Sequence, residues 1–202
     1  MNVQNRRNEK KDCFRAPGRR QAERGASMLE LAMILPILVV LVYGIVDFGR
    51  LIHARLVVTN VSREGGSLAS RDIREGDALI AMLQSSAAPF DLKDADGRIY
   101  ITKIKAGATT QNPEPYIDSR FQGGGLNAAS SITGSVFGTP HGLSSMLYNH
   151  LRYIAQNSTS DISEVTVVEV FYLYRPITPL PKLIQNHFLP SGGLLIGSRA
   201  VF

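Results

Sequence analysis

The four histidines, His53, His141, His150 and His187, are the side chains of this 202-residue sequence best suited to acid–base or metal chemistry, and their spacing supports neither. No two stand at a ligand spacing, and the single cysteine, Cys13, lies far from all of them, so each reads as a surface or helix-face histidine. Ser144 in "GLSSM" has Gly142 at the offset of a nucleophile elbow, but Met146 stands where the second glycine would be. "QGGGLN" lacks the lysine of a phosphate-binding loop and reads as a flexible connection. Asp94, Asp96 and Gly97 resemble part of a calcium loop. That loop would need an acid at Leu92 and a glutamate at Lys103, so a turn entering a strand is the better reading. The expectation is therefore a protein that is not an enzyme and has no metal and no cofactor.

Glu30 differs from these because of where it stands. It precedes sixteen uncharged residues, Leu31 to Val46, and a carboxylate in such low-dielectric surroundings costs several kcal/mol unless it is paired. Upstream, residues 1–25 hold eight basic and three acidic side chains, while residues 26–202 hold fourteen of each. The net charge of +5 thus belongs wholly to the leader. A basic excess beside an apolar span argues for membrane topology and against a nucleic-acid surface. By the positive-inside rule the N-terminus is cytoplasmic and everything beyond Asp47 is periplasmic or outside, in a single-pass protein of the inner membrane. No intrachain disulfide can form with one cysteine.

The elements follow from periodicity. A polar leader over 1–25 precedes one long helix from about Ser27 to about Ser70, its first half apolar enough for a bilayer and its second half amphipathic. Two other readings of the apolar run are the core helix of a soluble protein and the h-region of a secretory signal. The run exceeds the usual 7–15 residues of an h-region, and "YGIVDFGRLIHARL" continues a helix where a cleavage site would be. Pro36 is tolerable inside a membrane helix. Gly44 and Gly49 offer close helix packing, although they are five apart rather than four.

Residues 72–202 read as a small α+β domain with a short, mostly antiparallel sheet. Asp72 and Glu75 suggest the cap of a helix with Ala78, Leu79, Met82 and Leu83 as its stripe. "GRIYITKIKAG" reads as a strand with Ile99, Ile101 and Ile104, and residues 106–140 as one long loop. A helix follows in "GLSSMLYNHLRYIAQ", with Leu143, Met146, Leu147, His150 or Leu151, and Ile154 on one side. "SEVTVVEVFYLYRP" is the strongest strand, ended by Pro176, with Glu164, Thr166, Glu169 and Tyr172 or Tyr174 as its polar face. "PITPLPKLIQ" reads as a connector and "GGLLIGSRAVF" as a closing strand.

Arg24-Gly25-Ala26-Ser27-Met28-Leu29-Glu30 with the apolar run behind it resembles the class III leader of type IV pilin-like proteins. More widely, Glu30, Pro36, Gly44, Asp47-Phe48-Gly49-Arg50 and Arg63-Glu64-Gly65 resemble the N-terminal helix of TadE/TadF-like pseudopilins of the tight adherence (Flp-type, type IVb) pilus system. The likeness is specific over residues 24–71, and "VTVVEVFYLYRPITPL" is similar to a strand of these proteins. The resemblance implies cleavage by a prepilin peptidase between Gly25 and Ala26, removing the leader. It implies pairing of Glu30 with the new amine of a neighbouring subunit, the alternative being that Glu30 snorkels to the interface. The implied partners are the inner membrane, the peptidase, other pilins and pseudopilins and the pilus assembly platform. The implied function is assembly of a surface pilus for adhesion and biofilm formation. A component of a related secretion apparatus and a signal-anchored periplasmic binding module or enzyme are the other readings.

Overall fold

Ala, Leu, Met, Glu and Arg recur from Arg19 to Ala69 among β-branched residues, glycines and one proline, and in the computed structural model of the chain these 51 residues form one helix, α1. The structure describes residues 19–71, 76–109, 111–152, 162–178 and 193–202. Helix α1 starts ahead of the expected Ser27, because Arg19-Arg20-Gln21-Ala22-Glu23-Arg24 are themselves good helix formers and extend a helix already nucleated. Pro36 lies inside it. The stretch Ser27–Ala69 is long and apolar enough to cross a membrane, and none of its most apolar 18-residue window is buried. A soluble core helix would hide that window. Here Met28 through Val46 expose their apolar side chains instead, far more than a water-soluble surface carries.

The chain divides into two compact units, Met1–Val46 and Asp47–Phe202. In the second, the residues of α1 beyond Asp47 are followed by α2 (Gly76–Ser86), β1 (Gly97–Lys105), β2 (Tyr116–Gly123), α3 (Ser145–Leu151), β3 (Glu164–Tyr174) and β4 (Leu194–Val201). The four strands form one antiparallel sheet in the order β2-β1-β3-β4. The architecture is α+β, as the sequence predicts.

Both faces of the sheet are covered, which explains why its central strands alternate imperfectly. Ile99 and Ile101 of β1 and Val168 and Val170 of β3 pack with Ala54, Val58 and Val61 of α1 and Leu79, Ile80 and Leu83 of α2. On the other face Ile104, Val165 and Val167 pack with Ile117, Ile132 and Leu151. Two close approaches fix the first layer. A Cβ at Gly65 would stand 2.7 Å from Leu83 Cδ1 and 3.2 Å from Val168 Cγ1, and one at Gly66 would strike the Phe202 ring.

Several expectations are corrected. The stripe of α2 is Leu79, Ile80 and Leu83, with Ala78 exposed and Met82 half-buried, while Asp72 and Glu75 lie outside the described residues. The stretch 106–140 holds the strand β2 and, at Thr133, one end of an isolated bridge to His141. On β3, Thr166 and Glu169 are buried rather than solvent-facing, because α1 covers one face and the chain around Ser130 the other. On α3, Leu151 is fully buried with Leu143 and Leu147 against it, whereas Met146 and His150 are exposed. Ile154 and residues 179–185 of the connector lie outside the described residues.

Candidate functional site

Gly25, Ala26 and Glu30 all lie in the N-terminal turns of α1, so the bond between Gly25 and Ala26 is helical. Glu30 is exposed on that helix, as are the apolar residues that follow it. No heavy atom lies within 4 Å of a Cβ built at Gly44 or Gly49, so within the chain neither glycine receives a neighbour.

The second unit begins with a bonded junction. The Asp47 carboxylate accepts from the backbone N–H of Ile177 at 3.2 Å and of Thr178 at 3.5 Å, and from the Thr178 hydroxyl. The Tyr174 hydroxyl donates to the Asp47 carbonyl at 2.9 Å. Two stretches marked in the sequence, "DFGR" on the helix and "YLYRPIT" after the strongest strand, therefore meet. Pro176 ends the strand so that the next two N–H groups turn to Asp47. The acid at the end of the apolar run is thus satisfied by its own chain. Burial, then the Asp47 charge, raises the Tyr174 phenol above its ordinary value, while Arg50 acts the other way. Burial, then Asp96, raises that of Tyr172.

A polar seam crosses the face of the sheet turned away from α1. Glu169, 1% exposed, accepts from the hydroxyls of Ser130 and Ser131 and from the Ser131 N–H at 3.1 Å. Arg199 stands opposite Glu169 in register on β4 and donates to the Gly142 carbonyl at 3.1 Å. Opposite on β1, Tyr100 donates to the Ala128 carbonyl at 2.8 Å, beneath the Arg98 guanidinium. Arg120 donates to the carbonyls of Ile132 and Gly134. These bonds fasten the chain between Ala128 and Gly142 over the sheet, so Glu169 is a clamp. The sequence signal that could have shown this is the run Val165-Thr166-Val167-Val168-Glu169-Val170, apolar on both parities, which leaves no solvent side for an acid.

The remaining candidates are structural. Ser144 caps α3, accepting from the Leu147 N–H at 3.3 Å. Asp94 makes the turn into β1, its carbonyl accepting from Gly97 and Gly125, while the Asp96 carboxylate pairs with Arg175 at 2.6 Å. Of the "QGGG" glycines, Gly124 (φ +94°) and Gly125 lie against this turn, while Gly123 faces Ile80. His53 packs edge-on to Phe90 at 5.4 Å. His187 and Cys13 lie outside the described residues, among which no three His, Cys, Asp or Glu side chains gather as metal ligands. The Lys105 ammonium, bonded to Asp118 at 3.0 Å, is held above its usual value. So is the Tyr148 phenol, which donates to Glu114.

Among the described residues, one helix fit to cross a membrane and a small sheet unit make this an α+β protein, consistent with a single-pass membrane anchor. Residues 25–67, within the helix, match the family model described as TadE-like protein. The match takes in Gly25, Glu30, Asp47, Gly65 and Gly66 and none of the sheet. No curated protein and no solved structure matches the chain.

Proposed function

We propose that the chain is a minor pseudopilin of a tight adherence (Flp-type) pilus system, cytoplasmic at its N-terminus and periplasmic beyond Asp47. A prepilin peptidase cuts between Gly25 and Ala26, and the mature protein serves in assembling the pilus. The observation that carries this is the spacing of Gly25 and Glu30 before sixteen uncharged residues, at the point where the TadE-like match begins. Each residue then has a physical part. Hydrolysis requires the Gly25–Ala26 bond to leave the helix, and glycine holds a helix less firmly than alanine by about 1 kcal/mol. Gly25 also presents its backbone without side-chain bulk, while Arg24 keeps the leader at the cytoplasmic surface.

Cleavage creates an α-amino group on Ala26. Glu30 of an adjacent subunit is the counter-charge, and pairing offsets the several kcal/mol that an isolated carboxylate costs in hydrocarbon. Intact mass measurement on the protein from its native membranes should give a chain starting at Ala26, and Gly25→Leu should leave the leader in place. Glu30→Gln should be cut normally but fail to support surface pili. An uncut chain together with full piliation of the Glu30→Gln strain would defeat the proposal.

A further inference from the structure

We infer that the groove between the first extramembrane turns of α1 and the start of β4 seats the headgroup and upper acyl chain of an anionic phospholipid. The groove, about 500 Å³, is lined by Phe48, Ile52 and Arg55 of the helix and by Leu194 and Leu195 of the strand. It rests on the membrane-anchor reading of α1, and two observations select lipid over other occupants.

The first is distance along the chain. Phe48 and Ile52 follow Val46, the last residue of the uncharged run, by two and six residues within one helix. At a rise of about 1.5 Å per residue they lie no more than about 3 and 9 Å past it, whatever the tilt. The headgroup layer on each side of the hydrocarbon is about 5–8 Å deep. The second is chemistry. Phe48, Ile52, Leu194 and Leu195 are 63, 46, 43 and 54% exposed, an apolar surface that water would leave uncovered. Arg55 lines the same groove, so an apolar wall meets a cationic rim as an anionic phospholipid requires.

The test uses the full chain carrying Cys13→Ser in lipid nanodiscs, with a bimane label on a single cysteine and spin-labelled phospholipids as quenchers. Leu195→Cys and Ile52→Cys are the groove sites, Met146→Cys the control distant from it, and Leu38→Cys the control inside the run. In nanodiscs of mixed phosphatidylglycerol and phosphatidylcholine, label at both groove sites should be quenched severalfold more than at Met146. The difference should shrink in phosphatidylcholine alone and with Arg55→Gln. Quenching at Leu38 with none at Leu195 or Ile52 overturns the lipid site and leaves the anchor standing. Oxidative dimers through Leu195→Cys in that case would assign the groove to a second copy of the chain. Equal quenching with and without anionic lipid overturns the headgroup assignment. Absence of quenching at Leu38 overturns site and anchor together.

Discussion

Glu169 shows how much one side chain organises. Its two oxygens hold Ser130 and Ser131, and through them the chain covering the outer sheet face. Glu169→Ala removes an almost fully buried acceptor and strands its donors, a loss of about 2–4 kcal/mol. The unfolding midpoint of the detergent-solubilised protein should fall by roughly 5–15 °C. Glu169→Gln, which keeps one carbonyl acceptor, should cost less. Equal midpoints for Glu169→Ala and the parent would mean the clamp does not hold the chain. The tyrosines yield a second expectation. Burial raises the phenols of Tyr172 and Tyr174, so on alkaline titration the unfolded chain loses these protons first. Their contribution is whole below the ordinary value of about 10 and is lost as pH rises through the folded values. Tyr148 and Lys105, also raised, act in the same sense. Urea midpoints measured between pH 7 and 11 should be level first and then fall, and Tyr174→Phe should reduce the slope of the fall.

At the scale of elements, glycines along α1 divide by what they touch. Gly65→Ala drives a methyl against Leu83, itself fully buried, and should cost about 1–3 kcal/mol of stability. Gly44→Ala and Gly49→Ala meet nothing within the chain and should not lower its unfolding midpoint, the gain of up to about 1 kcal/mol in helix propensity raising it by a few degrees at most. If those two pack against a partner helix, their effect will appear in pilus assembly alone. The sequence marked Gly65 only as part of a resemblance, because its contacts come from α2 and β3, remote along the chain. Elements with a strong repeat were legible: α1, β1, β3 and β4 all stand close to where their apolar residues place them. Strand β2 was not, and the cause is specific. Between Lys103 and Ile104 its pairing slips by one residue, passing over Asp118. Ile117 and Phe121, which share a parity in sequence, consequently join opposite layers, and no alternation survives to be read. The candidate site divides in the same way. Gly25 and Glu30 are proposed from one local stretch of sequence, whereas the junction of Asp47 with Thr178, which the structure shows, joins residues far apart in sequence.

For the whole molecule, the question is where the anchor stops and the folded unit starts. By hydropathy the helix is one object through Ser70, but its packing begins at Asp47. Ala54, Val58, Val61 and Ala69 are buried in the sheet's main layer, with Leu51, Val57 and Leu68 partly buried beside them. Ser62 bonds Ser198 of β4 at 2.8 Å. Burying an aliphatic side chain of this size is worth about 1.5–3 kcal/mol, less for the partly covered ones. The combined loss on removing this helical segment is comparable with the 5–15 kcal/mol that holds a typical domain together. A fragment of residues 47–202 should therefore unfold cooperatively, with the far-ultraviolet dichroism of a mixed helix–sheet protein, and one of residues 72–202 should not. The helix then combines a stretch apolar enough to cross a membrane with a core element of the folded unit. Cooperative unfolding of the 72–202 fragment at the midpoint of the 47–202 fragment would reduce the helix to a tether.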